Sequence, residues 1–272
     1  MQPLIDGDVL RYEIGFAAEA GCQQEGVPSF DYVQELFEMR VANICAMVGA
    51  TAPPIMFLTG KHNFRDQLAT RQPYKTRASN KPWHFNNLTA FINWSYDVRL
   101  TEGLEADDLL AIEQCRREAI FNGNPFYSGP TVRSIICTRD KDLRAVPGWH
   151  YGWELGAQPE FGPELVDELG WLKLSSDRKS IKGTGLRFFY SQLITGDRTD
   201  SILGVEGLGP VKAMEILEAA RDERELFESV RSSYVSRYGS DSDRLMLESG
   251  RLLWMTRELE KNGSPRLWEF PK

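Results

Sequence analysis

Histidine and cysteine are scarce and scattered in this sequence. Its three histidines stand apart from one another, and none of its four cysteines belongs to a Cys-x-x-Cys pair. A zinc site built from these residues needs such close spacing, so its absence argues against zinc ligation. Isolated cysteines are compatible with free thiols in a reducing compartment. We therefore expect no zinc site, and we do not expect histidine to carry the chemistry.

Long apolar runs are also missing. No stretch approaches the roughly 18 apolar residues that a membrane-spanning helix requires. The first ten residues, MQPLIDGDVL, lack a basic region followed by an apolar core and do not resemble a signal peptide. The hydrophobic content of 42% is that of a soluble globular protein. We expect a cytoplasmic protein without a membrane partner.

The net charge of −7 counts against a nucleic-acid partner if only the total is considered. The basic stretch from Lys61 to Lys81 differs from the chain as a whole, because it is strongly cationic and its only acid is Asp66. Its cations are Lys61, Arg65, Arg71, Lys75, Arg77 and Lys81. Such a stretch can follow a phosphate backbone, and its interleaved aromatic rings can stack on unpaired bases. A solvated charged loop is the alternative interpretation.

Acidic residues follow two predicted buried strands. Asp6 and Asp8 come at the end of a short strand predicted from Pro3 to Leu10. RSIICT, an apolar run typical of a buried parallel strand, leads to Asp140 and Asp142. In open α/β sheets, ligands bind at the carboxyl ends of the strands. For Asp6-Gly7-Asp8, a solvated turn is the alternative.

A further acidic group lies at the start of a helix predicted near residue 105. Glu105 and Asp108 would share one helix face, with Asp107 beside them. Acids are also favoured in the first turn by the helix dipole, so a capping role is the alternative.

Apolar periodicity predicts other helices at 30–48, 84–96, 165–174, 186–195, 223–238 and 242–259.

The segment from Ile194 to Leu217 combines acids with a glycine-rich turn. Asp197 and Asp200 are three residues apart, on one side of a helical turn. GVEGLGP follows and contributes Gly204, Gly207, Gly209 and Pro210. Glycines allow close approach of a ligand, and the N–H groups of the following helix suit a phosphate. A plain turn is the alternative.

Nine carboxylates are candidate metal ligands: Asp6, Asp8, Glu105, Asp107, Asp108, Asp140, Asp142, Asp197 and Asp200. Gathered without cations they would raise one another's pKa and destabilise the fold. Oxygen-only ligands suit Mg²⁺ or Mn²⁺, and two ions about 4 Å apart can activate water and stabilise the leaving oxygen of a phosphodiester. With the basic stretch, this set predicts hydrolytic phosphoryl transfer on nucleic acid.

The order of the motifs resembles the 5′ nuclease superfamily of flap endonucleases and 5′-3′ exonucleases, in the stand-alone form of its bacteriophage members. The motifs are IDGD, NFR with YKTR, EADD, TRDKDL and GDRTDSILGVEGLG. The resemblance implies an α/β, PIN-like (SAM-like) fold with a central, mainly parallel sheet flanked by helices. It implies a catalytic domain over 1–180, with an arch or gateway at about 60–100. A helix-hairpin-helix module of the helix-three-turn-helix type would belong to the DNA-binding helical region, 181–272.

The resemblance also implies roles for individual residues. The acids would bind two Mg²⁺ or Mn²⁺ ions, and Lys75 and Arg77 would steer the scissile phosphate. The implied catalytic residues are Asp6, Lys75, Arg77, Asp108 and Asp140. The implied DNA contacts are Lys61, Arg65, Lys75, Arg77, Lys81, Gly204, Gly207, Gly209 and Lys212. The three glycines would hold duplex backbone, with K⁺ as an additional ion.

The sequence departs from the family pattern at two positions, one at an expected metal ligand and one in the helix before the GD motif. The family commonly has an aspartate after the second strand, where this chain reads Phe57-Leu58-Thr59-Gly60. Either one metal would be bound more weakly, or Asp8 would partly replace the missing ligand. Many relatives have a lysine in the helix before the GD motif, where this chain has Gln192.

We therefore predict a two-metal 5′-3′ exonuclease or 5′-flap endonuclease that hydrolyses DNA in replication or recombination. Its substrates would be DNA with 5′ ends or flaps, and RNA primers in RNA–DNA hybrids. We expect a monomer, in the host cytoplasm if a bacteriophage encodes it. A PIN-type ribonuclease and a non-catalytic DNA-structure-binding relative are the alternatives.

Overall fold

The computed structural model of this protein describes residues 1–22, 26–76, 80–129 and 131–272. Its strands are β1 (Gln2–Asp6), β2 (Ile55–Asn63), β3 (Asp97–Gly103), β4 (Ser134–Cys137), β5 (Gly148–Gly152), β6 (Phe161–Val166), β7 (Leu172–Leu174) and β8 (Ile181–Gly183). Its helices are α1 (Gly7–Gly21), α2 (Phe30–Met47), α3 (Arg65–Leu68), α4 (Phe85–Ser95), α5 (Ala106–Phe121), α6 (Gly185–Thr195), α7 (Pro210–Leu217), α8 (Glu223–Tyr238) and α9 (Ser242–Leu253).

Six strands form a central sheet in the order β3-β2-β1-β4-β5-β6. β1 pairs in parallel with β2 and with β4, and β4 pairs in parallel with β5. The two central strands are apolar and buried, as Leu4, Ile5, Ile135 and Ile136 show with 0% exposure each. Strands covered on both faces carry such continuous apolar runs. The predicted α/β class with a mainly parallel sheet is confirmed.

The chain forms two compact units. The first comprises Met1–Lys61, Ser79–Asp140 and Gly148–Leu165, and the second comprises His62–Ala78, Lys141–Pro147 and Val166–Lys272. Each unit is assembled from several segments, whereas the predicted regions 1–180 and 181–272 are continuous. The predicted division of function between those two regions stays a prediction.

Helices cover the sheet of the first unit. α1 packs against α2 and α4, and α5 packs against β1 and β4. α2 begins after Ser29, whose side chain accepts a hydrogen bond from the backbone of Tyr32. Its apolar face, which includes Phe37 and Ile44, is buried in the core. α1 follows β1 without a connecting loop, so the last residue of the strand also caps the helix.

The second unit is built around α6. This helix packs against α7, α8 and α9, and its residues Phe189, Tyr190 and Leu193 are 0% exposed. The antiparallel strands β7 and β8 form a separate two-stranded hairpin in this unit. Within the described residues, no helix combines the length and apolar character needed to cross a membrane.

Three predicted elements differ from the structure. The helix predicted at 165–174 is wrong, because Gly170, with a φ of 71°, turns the chain between β6 and β7. The strand predicted from Pro3 to Leu10 ends at Asp6, so Asp8 lies in the first turn of α1. The last helix ends at Leu253 and not at Leu259.

Candidate functional site

Thr138 links Asp6 to Asp140 in the first unit. Asp6 ends β1, and Thr138 directly follows β4, the parallel neighbour of β1. The Thr138 hydroxyl donates a hydrogen bond to Oδ2 of Asp6 at 2.7 Å and accepts one from the backbone N–H of Asp140 at 2.9 Å. Parallel pairing thus brings two of the predicted acids to the carboxyl ends of neighbouring strands.

Asp6 is a buried carboxylate held by hydrogen bonds. It is 1% exposed, and its Oδ1 accepts a hydrogen bond from the backbone N–H of Val9 at 3.0 Å. Burial and the negative charge of Asp8 raise the pKa of Asp6 to about 6, although the hydrogen bonds from Val9 and Thr138 oppose the shift. A cation bound next to this carboxylate would offset both effects.

Asp8 is held by protein partners. Its Oδ2 accepts a hydrogen bond from the backbone N–H of Thr59 at 3.1 Å. Its Oδ1 lies 2.7 Å from Nη2 of Arg11, an ion pair without hydrogen-bond alignment. Gly7 lies between Asp6 and Asp8. A side chain does not fit at this position, because a Cβ would lie 2.9 Å from the carbonyl oxygen of Phe57. Asp8 therefore contacts β2 at Thr59, in the middle of the strand, and it already has a cationic partner in Arg11.

Glu105 and Asp108 form a capping box at the start of α5. The Glu105 side chain accepts from the backbone of Asp108, and Oδ2 of Asp108 accepts from the backbone N–H of Glu105 at 3.4 Å. The two residues are 8% and 0% exposed. The capping interpretation is therefore confirmed, and metal ligation by these residues and by half-buried Asp107 stays a prediction.

Lys141 connects two acids in the second unit. Its Nζ donates a hydrogen bond to Oδ2 of Asp197 and lies 3.4 Å from Oδ1 of Asp142. Gln192 donates a further hydrogen bond to Oδ1 of Asp142 at 2.5 Å. Asp197, which is 4% exposed, also accepts from the backbone N–H groups of Thr199 and Asp200. Both carboxylates are thus held by donors from the protein.

The pKa values of Asp142, Asp197 and Asp200 are shifted in different directions. Burial raises the pKa of Asp142 despite the opposing charge of Lys141, and burial raises that of Asp200 despite Lys75. For Asp197, burial acts in the same direction, but the hydrogen bond and charge of Lys141 together with two backbone N–H groups lower the pKa. Lys141 therefore keeps Asp197 ionised, whereas the positive charge near Asp142 and Asp200 does not fully offset the effect of their burial.

The basic stretch contacts Asp200 directly. Tyr74 donates a hydrogen bond from its hydroxyl to Oδ2 of Asp200 at 3.0 Å, and the backbone N–H of Lys75 donates to the Asp200 carbonyl at 3.1 Å. Nζ of Lys75 lies 3.9 Å from the same Oδ2. Lys75 is exposed and has a φ of 47°, a left-handed conformation that this backbone contact fixes. An exposed cation is thus held beside a candidate metal ligand.

The glycine-rich turn precedes α7, whose first residue is Pro210. Gly204 is packed so closely that a Cβ would lie 2.3 Å from the Ile194 carbonyl oxygen. Gly207 and Gly209 are exposed, and a Cβ on either would have no neighbour within 4 Å. Lys212 is also exposed and pairs with Glu215 at 2.7 Å. The turn thus combines one structural glycine with two that leave the backbone accessible.

The chemistry of the donor set fits divalent cations. Among the residues that the structure describes, no three Asp, Glu, His or Cys side chains form a ready-made metal cluster. The carboxylates hydrogen-bond to the protein instead. All the candidate ligands are oxygen donors, and burial raises the pKa of Asp6, Asp142 and Asp200. Hard divalent cations such as Mg²⁺ prefer such ligands.

The fold is similar to that of a solved exonuclease. No family model and no curated protein matches the chain. The 5′-exonuclease of bacteriophage T5 with bound zinc ions aligns over 93% of this chain and 99% of its own, with a TM-score of 0.53 and 13% identity. The chain shares the fold of this exonuclease. The catalytic core of Rad2 in complex with a DNA substrate aligns over 99% of this chain and 84% of its own, with a TM-score of 0.44 and 12% identity.

This fold places the predicted DNA-contacting residues in different environments. Lys61 and Lys81 are exposed, and Nζ of Lys81 lies 4.5 Å from the centre of the Phe85 ring. Arg65 is 0% exposed, and its guanidinium donates hydrogen bonds to the carbonyl oxygens of Leu252 and Trp254. The predicted DNA contact of Arg65 is wrong, because this side chain fills the interior. Arg77 lies outside the described residues.

Three polar residues of the site are not among the sequence-predicted candidates. Thr138 directly follows a buried strand, at the carboxyl end where ligand sites of α/β sheets lie, and this position is the signal that could have identified it. Lys141 stands between two candidate ligands in the sequence, and this spacing is the signal that could have identified it. Arg11 is three residues from Asp8 in α1, the spacing of a helical ion pair.

Proposed function

We propose that this protein is a divalent-metal-dependent nuclease that hydrolyses DNA phosphodiesters from 5′ ends and at 5′ flaps. The observation that carries the proposal is the pair Asp6 and Asp140, held by one threonine hydroxyl at the carboxyl ends of parallel strands. Ligand sites lie at this position in α/β sheets. Asp6 is kept there although its burial raises its pKa to about 6, and a bound cation would offset this effect.

Two groups of acids would hold the metal ions. The first unit contributes Asp6, Glu105, Asp107, Asp108 and Asp140, with Asp8 as an auxiliary. The second unit contributes Asp142, Asp197 and Asp200. A bound divalent cation supplies Lewis acidity towards the phosphodiester and lowers the pKa of a bound water.

The chain's own residues would bind and orient the substrate. Lys75, held beside Asp200 by its backbone N–H, presents an exposed ammonium group to a phosphate oxygen. Tyr74 fixes the orientation of the Asp200 carboxylate through its 3.0 Å hydrogen bond. The open backbone at Gly207 and Gly209 allows a nucleic-acid strand to approach closely. Arg77 would complete the phosphate contact.

Finer features of the proposal concern ions and partners. We propose Mg²⁺ or Mn²⁺ as the metal, K⁺ at the glycine-rich turn, and a monomeric protein. RNA primers in RNA–DNA hybrids would be substrates alongside DNA, in replication or recombination.

The test is cleavage of a 5′-labelled flap duplex, the matching blunt duplex and a single-stranded RNA, each with Mg²⁺ and with EDTA. The proposal predicts short 5′ products from the DNA substrates only when metal is present. Product length distinguishes exonucleolytic cleavage from flap cutting. Cleavage of RNA alone would favour the PIN-type ribonuclease, and DNA binding without cleavage would favour a non-catalytic relative.

A further inference from the structure

The β7–β8 hairpin, residues 172–183, is an unusually cationic part of an acidic protein. It carries four cations and one acid in a chain whose net charge is −7. The cations are Lys173, Arg178, Lys179 and Lys182, and all are exposed. Across the described part of the chain, none of these four side chains has an ion-pair partner within 4.0 Å. We call this element the basic hairpin.

Two of the lysines lie directly opposite each other. Lys173 pairs with Lys182 in the register of the hairpin, so their side chains share one face. Like charges in such a cross-strand pair destabilise a sheet. The neighbouring apolar residues Leu172 and Ile181 are half-buried and pack against the core of the second unit. The hairpin is therefore apolar on its inner face and cationic on its outer face.

The turn and the base of the basic hairpin are well fixed. Asp177, its only acid, accepts hydrogen bonds from the Ser175 hydroxyl at 2.6 Å and from the backbone N–H of Lys179 at 3.1 Å. Arg178 has a φ of 58° within this turn. At the base, the backbone N–H of Thr184 donates to the Trp171 carbonyl at 3.0 Å. The single carboxylate is thus engaged in the turn, and the lysines are presented from a defined backbone.

The basic hairpin adjoins the helix that follows the glycine-rich turn. β7 packs against α7, which begins directly after Gly209 and carries exposed Lys212. Both elements belong to the second unit. A polyanion that contacts the open glycine backbone would find further cations on the neighbouring strand.

We propose that the basic hairpin is a second phosphate-binding surface, which contacts the backbone of duplex DNA. The proposal rests on the proposed function and extends it to a surface outside the carboxylate site. Bound phosphates neutralise the opposed lysines, and the released counterions provide the driving force. The contact is independent of base sequence, because only the backbone is read.

The test is the salt dependence of duplex binding, measured by fluorescence anisotropy in EDTA. The Lys173→Gln/Lys182→Gln variant is compared with the wild type and with Lys261→Gln/Lys272→Gln, a control with the same charge change at two other exposed lysines. Loss of two phosphate contacts reduces the slope of log Kd against log salt by about 1.8 and weakens binding at least tenfold at about 0.1 M salt. We expect this change in the hairpin variant and none in the control.

A second variant separates binding from folding. Lys173→Glu replaces the repulsive pair with an opposite-charge pair, so it should raise the Tm while still weakening duplex binding. Equal slopes for the two double variants, with normal wild-type binding, would overturn the inference and leave the proposed function intact. A wild-type protein that binds no duplex even at low salt would overturn both.

Discussion

Lys141 donates a hydrogen bond from its ammonium group to Oδ2 of Asp197, a carboxylate whose side chain is only 3% exposed. The same ammonium lies 3.4 Å from Oδ1 of Asp142. A lysine therefore supplies positive charge to two of the proposed metal ligands. Divalent cations and this ammonium group would compete for the same carboxylate oxygens.

Replacing Lys141 with methionine should strengthen metal binding by the second-unit acids. We expect the Lys141→Met variant to bind Mn²⁺ about tenfold more tightly, a difference of about 1.4 kcal/mol. Titration calorimetry or electron paramagnetic resonance with Mn²⁺ alone measures this without a cleavage assay. Lys212→Met, which removes an exposed lysine paired with Glu215, is the control and should not change the affinity. Weaker Mn²⁺ binding by Lys141→Met would show that the lysine supports the metal site.

Arg65 should behave as a core residue. Its buried guanidinium donates to the carbonyl oxygens of Leu252 and Trp254 at 2.9 Å and 2.8 Å. Arg65→Met leaves these acceptors without their donors and should lower the free energy of unfolding by about 2–4 kcal/mol. The exposed Lys61, changed to Gln, should alter it by less than about 0.5 kcal/mol. Urea unfolding measures both, and an Arg65→Met variant of normal stability with weaker DNA binding would restore the DNA-contact role.

Three glycines of the turn should respond to alanine in a graded way. Gly204→Ala places a Cβ 2.3 Å from the Ile194 carbonyl oxygen and should destabilise the protein most. Gly207→Ala has open space but a φ of 85°, so a loss of about 1–2 kcal/mol is expected. Gly209→Ala has neither restriction and should keep its Tm.

The same Gly209→Ala variant tests the proposed backbone contact. If a nucleic-acid strand approaches this turn closely, the added methyl group should weaken duplex binding without a change in thermal stability. Anisotropy and thermal unfolding of one preparation give both quantities. Unchanged DNA affinity in Gly209→Ala would place the strand elsewhere.

Glu13 should make stability depend on pH. It accepts hydrogen bonds from Trp153 at 2.6 Å and Arg40 at 2.7 Å, and Arg139 also contributes positive charge. Burial, opposed chiefly by Arg40, raises the pKa of Glu13 above its usual value of 4.5. The folded state therefore binds this proton more tightly, and the associated stability is present below the unfolded pKa and lost as pH rises through the folded pKa.

Glu13→Gln should remove this loss. Compared with the wild type, the variant should lose less stability as pH rises from below 4.5 through the folded pKa of Glu13, as measured by urea unfolding at several pH values. Asp243→Asn provides a control of opposite sign, because the hydrogen bond from Arg231 lowers the pKa of Asp243. That stabilisation is present above the unfolded pKa and lost as pH falls. A parallel pH profile for wild type and Glu13→Gln would contradict the assignment.

The sequence predicts much of the fold where one physical signal dominates. The apolar run at 133–138 became the buried strand β4, and the glycine-rich turn with Pro210 led into α7. The segment 165–174 was mispredicted because Leu165, Leu169 and Leu172 fit a helical period, whereas Gly170 reverses the chain between two strands. Here a backbone conformation overrides side-chain periodicity.

The candidate site was predictable in composition but not in its internal partners. Acids after strands indicate where ligands bind, and this placed Asp6 and Asp140 correctly at strand ends. Nothing in the sequence distinguishes buried Arg65 from exposed Lys61, because both belong to one basic stretch. The ion pair of Lys141 with Asp197 joins residues far apart in the chain, and only the folded structure reveals it.

The most direct test of the central claim compares Asp6→Asn with Asp243→Asn in Mg²⁺-dependent cleavage of a 5′-labelled flap duplex. Asn keeps the shape of each side chain but removes its charge, and Asp243 lies in a surface ion pair that has no part in the proposed site. We predict that Asp6→Asn lowers the cleavage rate roughly a thousandfold, equivalent to about 4 kcal/mol of transition-state stabilisation, with Asp243→Asn unaffected. Wild-type rates in Asp6→Asn, or cleavage by the wild type in EDTA, would contradict a metal-dependent nuclease built on this carboxylate.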